Sequence, residues 1–279
     1  MRGFIRRWWR WIVIIVYATV VITTMIFHEP WFDEAQSWLI ARDASYHDIL
    51  FVRPHYEGHP PLWWLLLSVP AKLGVPYEIG LKSVQFLCAM LMISLLVFRC
   101  PLPAPIVALL PFTYFLCYQY GVISRPYALM VAAMFLSAIA WKDRNDHPVR
   151  LVLPLALLCL TSSFGIALSC GIAISWIAIT IRAEGFGRTL LGNRPRILAL
   201  TVLLLLGIVV TIGVRPLSDT YATTVAAYGN RSFLMRIAIV LFVLPSESVL
   251  TSFLGDFSIY LNRILWNEFA ICAFISTVM

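Results

Sequence analysis

The chain has 279 residues, of which 61% are hydrophobic and only 13% charged, and its mean hydropathy is +0.85. Soluble domains carry roughly 25% charged residues, so a water-soluble fold is excluded. The formal net charge of +7 comes from eighteen Arg and three Lys against fourteen acids. These basic residues stand in short stretches between apolar runs, as the positive-inside rule expects. That placement excludes nucleic-acid binding as the reason for the charge and makes membrane lipids, anionic headgroups above all, the expected partners.

Arg2, Arg6, Arg7 and Arg10 precede seventeen uncharged residues, 11–27. No A-x-A-like cleavage site follows, so this reads as an uncleaved signal-anchor helix leading outward from the cytoplasm. Residues 28–60 then form a first external loop. Within it Trp31, Ala35, Trp38 and Leu39 fall near helical spacing opposite Asp33, Glu34 and Arg42, which predicts a short amphipathic helix in the headgroup layer. Further apolar segments follow at 61–74, 79–98, 103–121, 126–141, 151–162, 166–181, 197–214, 234–254 and 264–279. With the first helix they predict an all-α polytopic bundle of about 9–10 membrane helices, one domain over residues 1–279. The 61–74 piece is short and carries Pro70, so it is expected to be re-entrant or to lie on the surface. That choice puts Ser124-Arg125-Pro126 on the external side, beside the first loop. The uncharged run 151–181 is too long for one span, and Thr161-Ser162-Ser163-Phe164-Gly165 breaks it into two short helices.

Basic loops at 142–150 and 182–196 read as cytoplasmic, and 215–233, with Asp219, Tyr221 and Tyr228, as a second external loop. The chain ends inside an apolar run, 270–279, which reads as a fragment or as a short member of a longer family. Cys88, Cys100, Cys117, Cys159, Cys170 and Cys272 form no C-x-x-C pair and read as small buried hydrophobes. Asn230-Arg231-Ser232 matches a glycosylation sequon.

The chemistry gathers in the first loop, which holds four of the five histidines and six of the fourteen acids. Asp33 reads either as a cap for the helix that follows, with Gln36 completing a capping box, or as a carboxylate that accepts a proton from a hydroxyl nucleophile. With Glu34 it can also hold a divalent cation; no cofactor follows from the sequence. In Gly58-His59-Pro60-Pro61 the prolines open a helix. His59 is either an interfacial residue there or a hydrogen-bond donor to a phosphate or a substrate hydroxyl, and a proton carrier as pH changes. Arg125 either snorkels to the interface or, among Tyr118, Tyr120 and Tyr127, grips a lipid-linked phosphate. Arg53, His55, Tyr56 and Glu57 are candidates for the same pocket. The spacing of His55 and His59 matches a metal pair, but Pro60 excludes the helical H-E-x-x-H arrangement of a metalloprotease.

In order along the chain stand a basic N-terminus and first span, Trp31-Phe32-Asp33-Glu34-Ala35, His59-Pro60-Pro61-Leu62 and Ser124-Arg125-Pro126-Tyr127-Ala128-Leu129. Over roughly residues 1–180 this resembles the GT-C superfamily of polytopic glycosyltransferases. It is most similar there to the family 39-like group of protein O-mannosyltransferases, aminoarabinose transferases and lipopolysaccharide-core transferases. The resemblance implies a membrane enzyme that takes a sugar from a polyprenyl-phosphate carrier, on the non-cytoplasmic face, and passes it to a hydroxyl on a lipid, glycan or protein with inversion. It implies that Asp33 is the catalytic base with Glu34 beside it, and that His59 and Arg125 meet the substrate; Tyr127, Arg53 and His55 are further candidates for substrate contact. The chain departs from the family's pattern at Ser162, where similar proteins often have a His in a Thr-His-x-x-Gly-like turn. A polytopic transporter or lipid flippase, and a non-catalytic membrane subunit, are the alternative expectations.

Overall fold

The computed structural model of the chain describes residues 2–187 and 193–219. The expected spans 234–254 and 264–279, the sequon, Cys272 and residues 220–233 of the second external loop lie outside them. The described residues are helical, with no strand among them, so the chain is an all-α bundle. The helices are α1 (Arg2–Phe27), α2 (Phe32–Asp43), α3 (Arg53–Glu57), α4 (Leu62–Lys72), α5 (Tyr77–Arg99), α6 (Ala104–Leu109), α7 (Tyr127–Ala140), α8 (Pro148–Thr161), α9 (Ser163–Glu184) and α10 (Arg194–Gly213). Four of them, over Arg7–Phe27, Tyr77–Arg99, Ser163–Glu184 and Arg194–Gly213, are long and apolar enough to cross a membrane. They expose large apolar side chains such as Ile15, Ile26, Leu87, Ile174, Leu204 and Val209, a surface suited to lipid and a liability in water.

The 61–74 segment forms one short helix. α4 has 11 residues, about 16 Å of helix, half the hydrocarbon thickness. It runs against α2 and α5, and Lys72 Nζ donates to the carbonyl of Ala44 at 2.7 Å. The 103–121 segment differs from the single span predicted for it. Pro103, Pro105 and Pro111 reduce it to α6, a 3₁₀ turn at Leu110–Phe112 and a π-helical turn at Phe115–Gln119. Carbonyls freed by such a break must be satisfied inside the protein. Tyr17 hydroxyl donates to Leu116 O at 2.8 Å, and Gln85 Nε2 donates to Tyr120 O at 2.6 Å and Gly121 O at 3.3 Å.

The long apolar run does break where expected. α8 ends at Thr161, and Ser162 in extended conformation caps α9, its Oγ accepting from the Gly165 amide. α8 is short, with 14 residues, whereas α9 continues for 22, because a single arginine and a single acid at its end do not stop a helix.

Contacts sort the helix ends into two sets. At one end the turn before α7 meets α2, Ser163 Oγ donates to Gly58 O, and His55 Nδ1 lies 2.8 Å from Arg215 O. At the other, Arg10 covers Phe98, Arg144 covers Trp141, Trp176 Nε1 donates to Asn145, and Arg196 pairs with Glu184 at 3.0 Å. Arg10 therefore shares its end of the bundle with Phe98 at the end of α5, and Asn145 shares its end with Asn193 at the start of α10.

One core joins α1, α2, α4, α5 and α7 through Tyr17, Trp38, Trp64, Leu67, Met92 and Ala132; a second joins α8, α9 and α10 around Leu155, Trp176 and Leu203. Trp38 presses on α5 at Gly80, where a Cβ would stand 2.2 Å from its ring. Gly80→Ala is expected to destabilise the protein by about 1–3 kcal/mol through overpacking, read as a lower Tm in detergent. Gly171→Ala, whose Cβ meets nothing within 4 Å, serves as the control and leaves Tm unchanged or raised.

Candidate active site

The helix that carries Asp33 starts earlier than the capping expectation has it. Trp31 is the N-cap, so Asp33 and Glu34 fall in the first turn, where the helix dipole favours negative charge. Glu34 Oε2 accepts from the Trp31 amide at 2.8 Å, the half of a capping box that an acid in this position supplies. Asp33 does not cap, and Gln36 turns to Glu57. The predicted amphipathic face is also corrected. Glu34, Trp38 and Ala41 form the buried stripe, while Trp31 and Leu39 are half exposed.

Glu34 has zero exposure. Besides the Trp31 amide, its Oε2 meets His28 Nε2 at 3.0 Å, and its Oε1 accepts from the Ser124 amide at 2.5 Å. An ionised carboxylate only accepts, so His28 Nε2 carries the hydrogen of that contact. Burial alone would push Glu34 up; the hydrogen bonds from His28 and the two amides outweigh it and hold the carboxyl below the usual glutamate range. One side chain thus ties the end of α1, the start of α2 and the turn before α7 together. The next residue after that turn's anchored amide is Arg125.

Arg125 Nη1 forms an ion pair with Asp33 Oδ2, 92 residues away in sequence. Its guanidinium also lies 5.6 Å from the centre of the Tyr127 ring, which packs on Tyr120 at 5.9 Å. Asp33 and Arg125 open into a cavity of about 180 Å³ shared with Gln36, Glu57, His59, Trp63, Trp64 and Thr161. Gln36 Nε2 lies 2.9 Å from both carboxylate oxygens of Glu57. Burial pushes Glu57 up, and nearby Asp33 adds to that against Arg53 and Gln36. Burial, helped by the charge of Arg125, pushes His59 down and favours its neutral form. Its Nδ1 and the Trp63 Nε1 are buried without a hydrogen-bond partner.

Of the sequence-predicted residues, the structure brings Asp33, His59 and Arg125 into one cavity, with Tyr127 behind the guanidinium. It does not bring Glu34, Arg53 or His55 there. Glu34 is an interior anchor, and its oxygens already accept three hydrogen bonds, so it does not converge with Asp33 on a shared cation. Among the described residues no group of three or more His, Cys, Asp or Glu could hold a metal ion. Arg53 is exposed and His55 contacts the Arg215 carbonyl. Sequence reading passed over Gln36, Trp63, Trp64 and Thr161. Gln36 sits one helical turn after Asp33, and the tryptophans follow the proline pair, so both were within reach of a helical-face argument. Thr161 had no such signal, since only the fold brings the α8–α9 turn to the cavity.

Glu34→Ala leaves two amides and an imidazole without an acceptor and is expected to cost about 3 kcal/mol or more. The depressed pKa means that the Glu34 contribution is present above the ordinary glutamate range, near ~4.3, and is lost as pH falls through the lower folded value. Thermal unfolding from neutral to acid pH checks both, and Glu34→Gln is expected to flatten that acid dependence.

Comparison with family models, with curated proteins and with solved structures found no match, so the geometry of the cavity carries the functional reading.

Proposed function

We propose that this chain is a membrane glycosyltransferase that moves a sugar from a polyprenyl-phosphate carrier to a hydroxyl on a lipid, glycan or protein. The observation that carries this reading is the meeting of Asp33 and Arg125 in one cavity of the bundle. The arginines in the N-terminal part of α1 orient the chain by the positive-inside rule, which puts the α1–α2 end, and the cavity with it, on the non-cytoplasmic face. The resemblance of Trp31–Ala35, His59–Leu62 and Ser124–Leu129 to GT-C transferases points to the same chemistry.

The reaction asks three things of the site. A carboxylate accepts the proton of the acceptor hydroxyl as its oxygen attacks the anomeric carbon. The bond from that carbon to the carrier oxygen breaks, and the electron pair leaves with the phosphate. A cation receives the charge that develops there. Because phosphate is already a good leaving group, one base suffices, and attack opposite to it inverts the anomer; glycosidases need a second carboxyl to protonate their leaving group. Asp33 is the carboxylate that the sequence motif singles out. Arg125 has five N–H donors in a fixed fork, so it binds a phosphate oxygen while keeping a contact to Asp33. The Tyr127 ring supports the guanidinium from one side. The neutral His59 imidazole supplies a hydrogen bond without adding charge.

Binding of a long-chain polyprenyl phosphate, without sugar, to the purified full chain in nanodiscs of neutral lipid tests the phosphate clamp independently of which sugar is carried. Arg125→Ala is expected to weaken binding about tenfold or more, equivalent to 1.4 kcal/mol or above. Arg125→Lys is expected to restore part of the loss, because it keeps the charge but not the fork. Equal affinity in wild type and Arg125→Ala contradicts the clamp.

A further inference from the structure

The cavity holds two carboxylates and one guanidinium in contact with only one of them. We propose that Glu57 is the catalytic base of this site and that Asp33 is the positioning residue that aims Arg125 at the carrier phosphate. This assignment rests on the glycosyl-transfer reading and divides its labour differently from the sequence motif.

Asp33 is committed in the resting site. Its Oδ2 is bound to Arg125 Nη1, and that contact orients the guanidinium at the cavity. Glu57 stands otherwise. It lines the same cavity, and among the described residues no basic side chain lies within ion-pair distance of it. Its partner is neutral: Gln36 Nε2, one turn beyond Asp33 on α2, lies 2.9 Å from each of its oxygens. An amide orients a carboxylate without neutralising it.

The backbone around Glu57 is held from both sides. Glu57 is the last residue of α3, and Gly58 follows with φ +64°, a left-handed conformation that glycine adopts without strain. The Gly58 amide donates to Pro54 O at 3.0 Å, and its carbonyl accepts from Ser163 Oγ. Two helices therefore fix where the carboxylate points, as a base that must meet a hydroxyl within about 3 Å requires.

The step balances without a further reactant. The acceptor O–H bond breaks and its proton passes to Glu57. The oxygen forms its bond to the anomeric carbon. The bond from that carbon to the carrier oxygen breaks, and the electron pair stays on the phosphate beside Arg125. Glu57 then returns the proton to water. The charged and titratable groups that face Glu57 are Asp33 on α2, Arg53 on α3, and His59 and Arg125 across the cavity. Burial and Asp33 raise its pKa against Arg53 and Gln36, which suits a group that must accept a proton near neutral pH. Its basic form is therefore lost as pH falls through a value above the ordinary glutamate range.

The experiment uses the purified full chain and three long-chain polyprenyl-phosphate donors carrying labelled mannose, glucose or arabinose. It reads release of polyprenyl phosphate, with water as acceptor when none is supplied. Glu57→Gln is expected to lower kcat by about a hundredfold or more, to leave the donor KM unchanged, and to remove the acid limb of kcat against pH. Asp33→Asn is expected to act mainly by raising the donor KM while the acid limb stays. Glu57→Asp, which keeps a carboxylate, is expected to retain that limb at reduced kcat and guards against a folding defect in the glutamine variant. A Glu57→Gln enzyme with near wild-type kcat, a Glu57→Asp enzyme without the acid limb, or an acid limb that disappears with Asp33→Asn instead overturns the assignment while transfer itself stands. A wild-type protein that releases polyprenyl phosphate from none of the three donors overturns the transfer reading, and this assignment with it.

Discussion

A carboxylate with no exposure stays ionised inside a protein only where enough donors meet it, and the Glu34 side chain meets three. His28 comes from the end of α1, the Trp31 amide from the first turn of α2, and the Ser124 amide from a turn 90 residues further on. Glu34 acts on Arg125 through the backbone. The amide that Glu34 holds is one residue before it, and the carboxylate that Arg125 pairs with is one residue before Glu34. The adjacent acids therefore work as a unit with opposite orientations. Glu34 faces inward and fixes two segments to each other; Asp33 faces the cavity and meets the arginine that this fixation delivers.

The same dependence explains why an irregular segment is tolerated before Ser124. Residues 104–121 are interrupted by proline and by a π-helical turn, which leaves carbonyls that lipid cannot satisfy. Tyr17 on α1 and Gln85 on α5 take up several of them. Gly121 permits the close approach, because a Cβ there would stand 2.7 Å from the Tyr17 hydroxyl. Tyr17 and Gln85, buried in this apolar bundle, thus hold the backbone that leads to the turn before α7.

The helical class, the short α4 and the α8–α9 break were legible in the sequence because each rests on a local quantity: apolar run length, a proline in a short segment, or a Thr-Ser-Ser-Phe-Gly stretch with its own capping residue. The convergence of Asp33, His59 and Arg125 was legible only through the order of the motifs, since no local rule brings residues 33 and 125 together. The orientation of Glu34 was misread for a physical reason. Periodicity assigns acids to the solvated face, and here a single acid sits on the buried face because His28, the Trp31 amide and the distant Ser124 amide all meet it there. The 103–121 break was visible as three prolines, yet its length and apolarity outweighed them. The roles of Glu57 and Gln36 depend on a side-chain pairing between α2 and α3 that spacing alone does not specify.

The central claim is that the cavity receives the phosphate of a lipid carrier on Arg125. The most direct measurement is solid-state NMR of the full chain in bilayers, with arginine guanidinium groups labelled with nitrogen-15 and a long-chain polyprenyl phosphate bound, reading nitrogen–phosphorus dipolar dephasing. The account predicts dephasing that corresponds to hydrogen-bonded contact, with N···O near ~2.8 Å, and its loss in Arg125→Lys. Bound polyprenyl phosphate that dephases no guanidinium, or one whose dephasing survives that substitution, would contradict it.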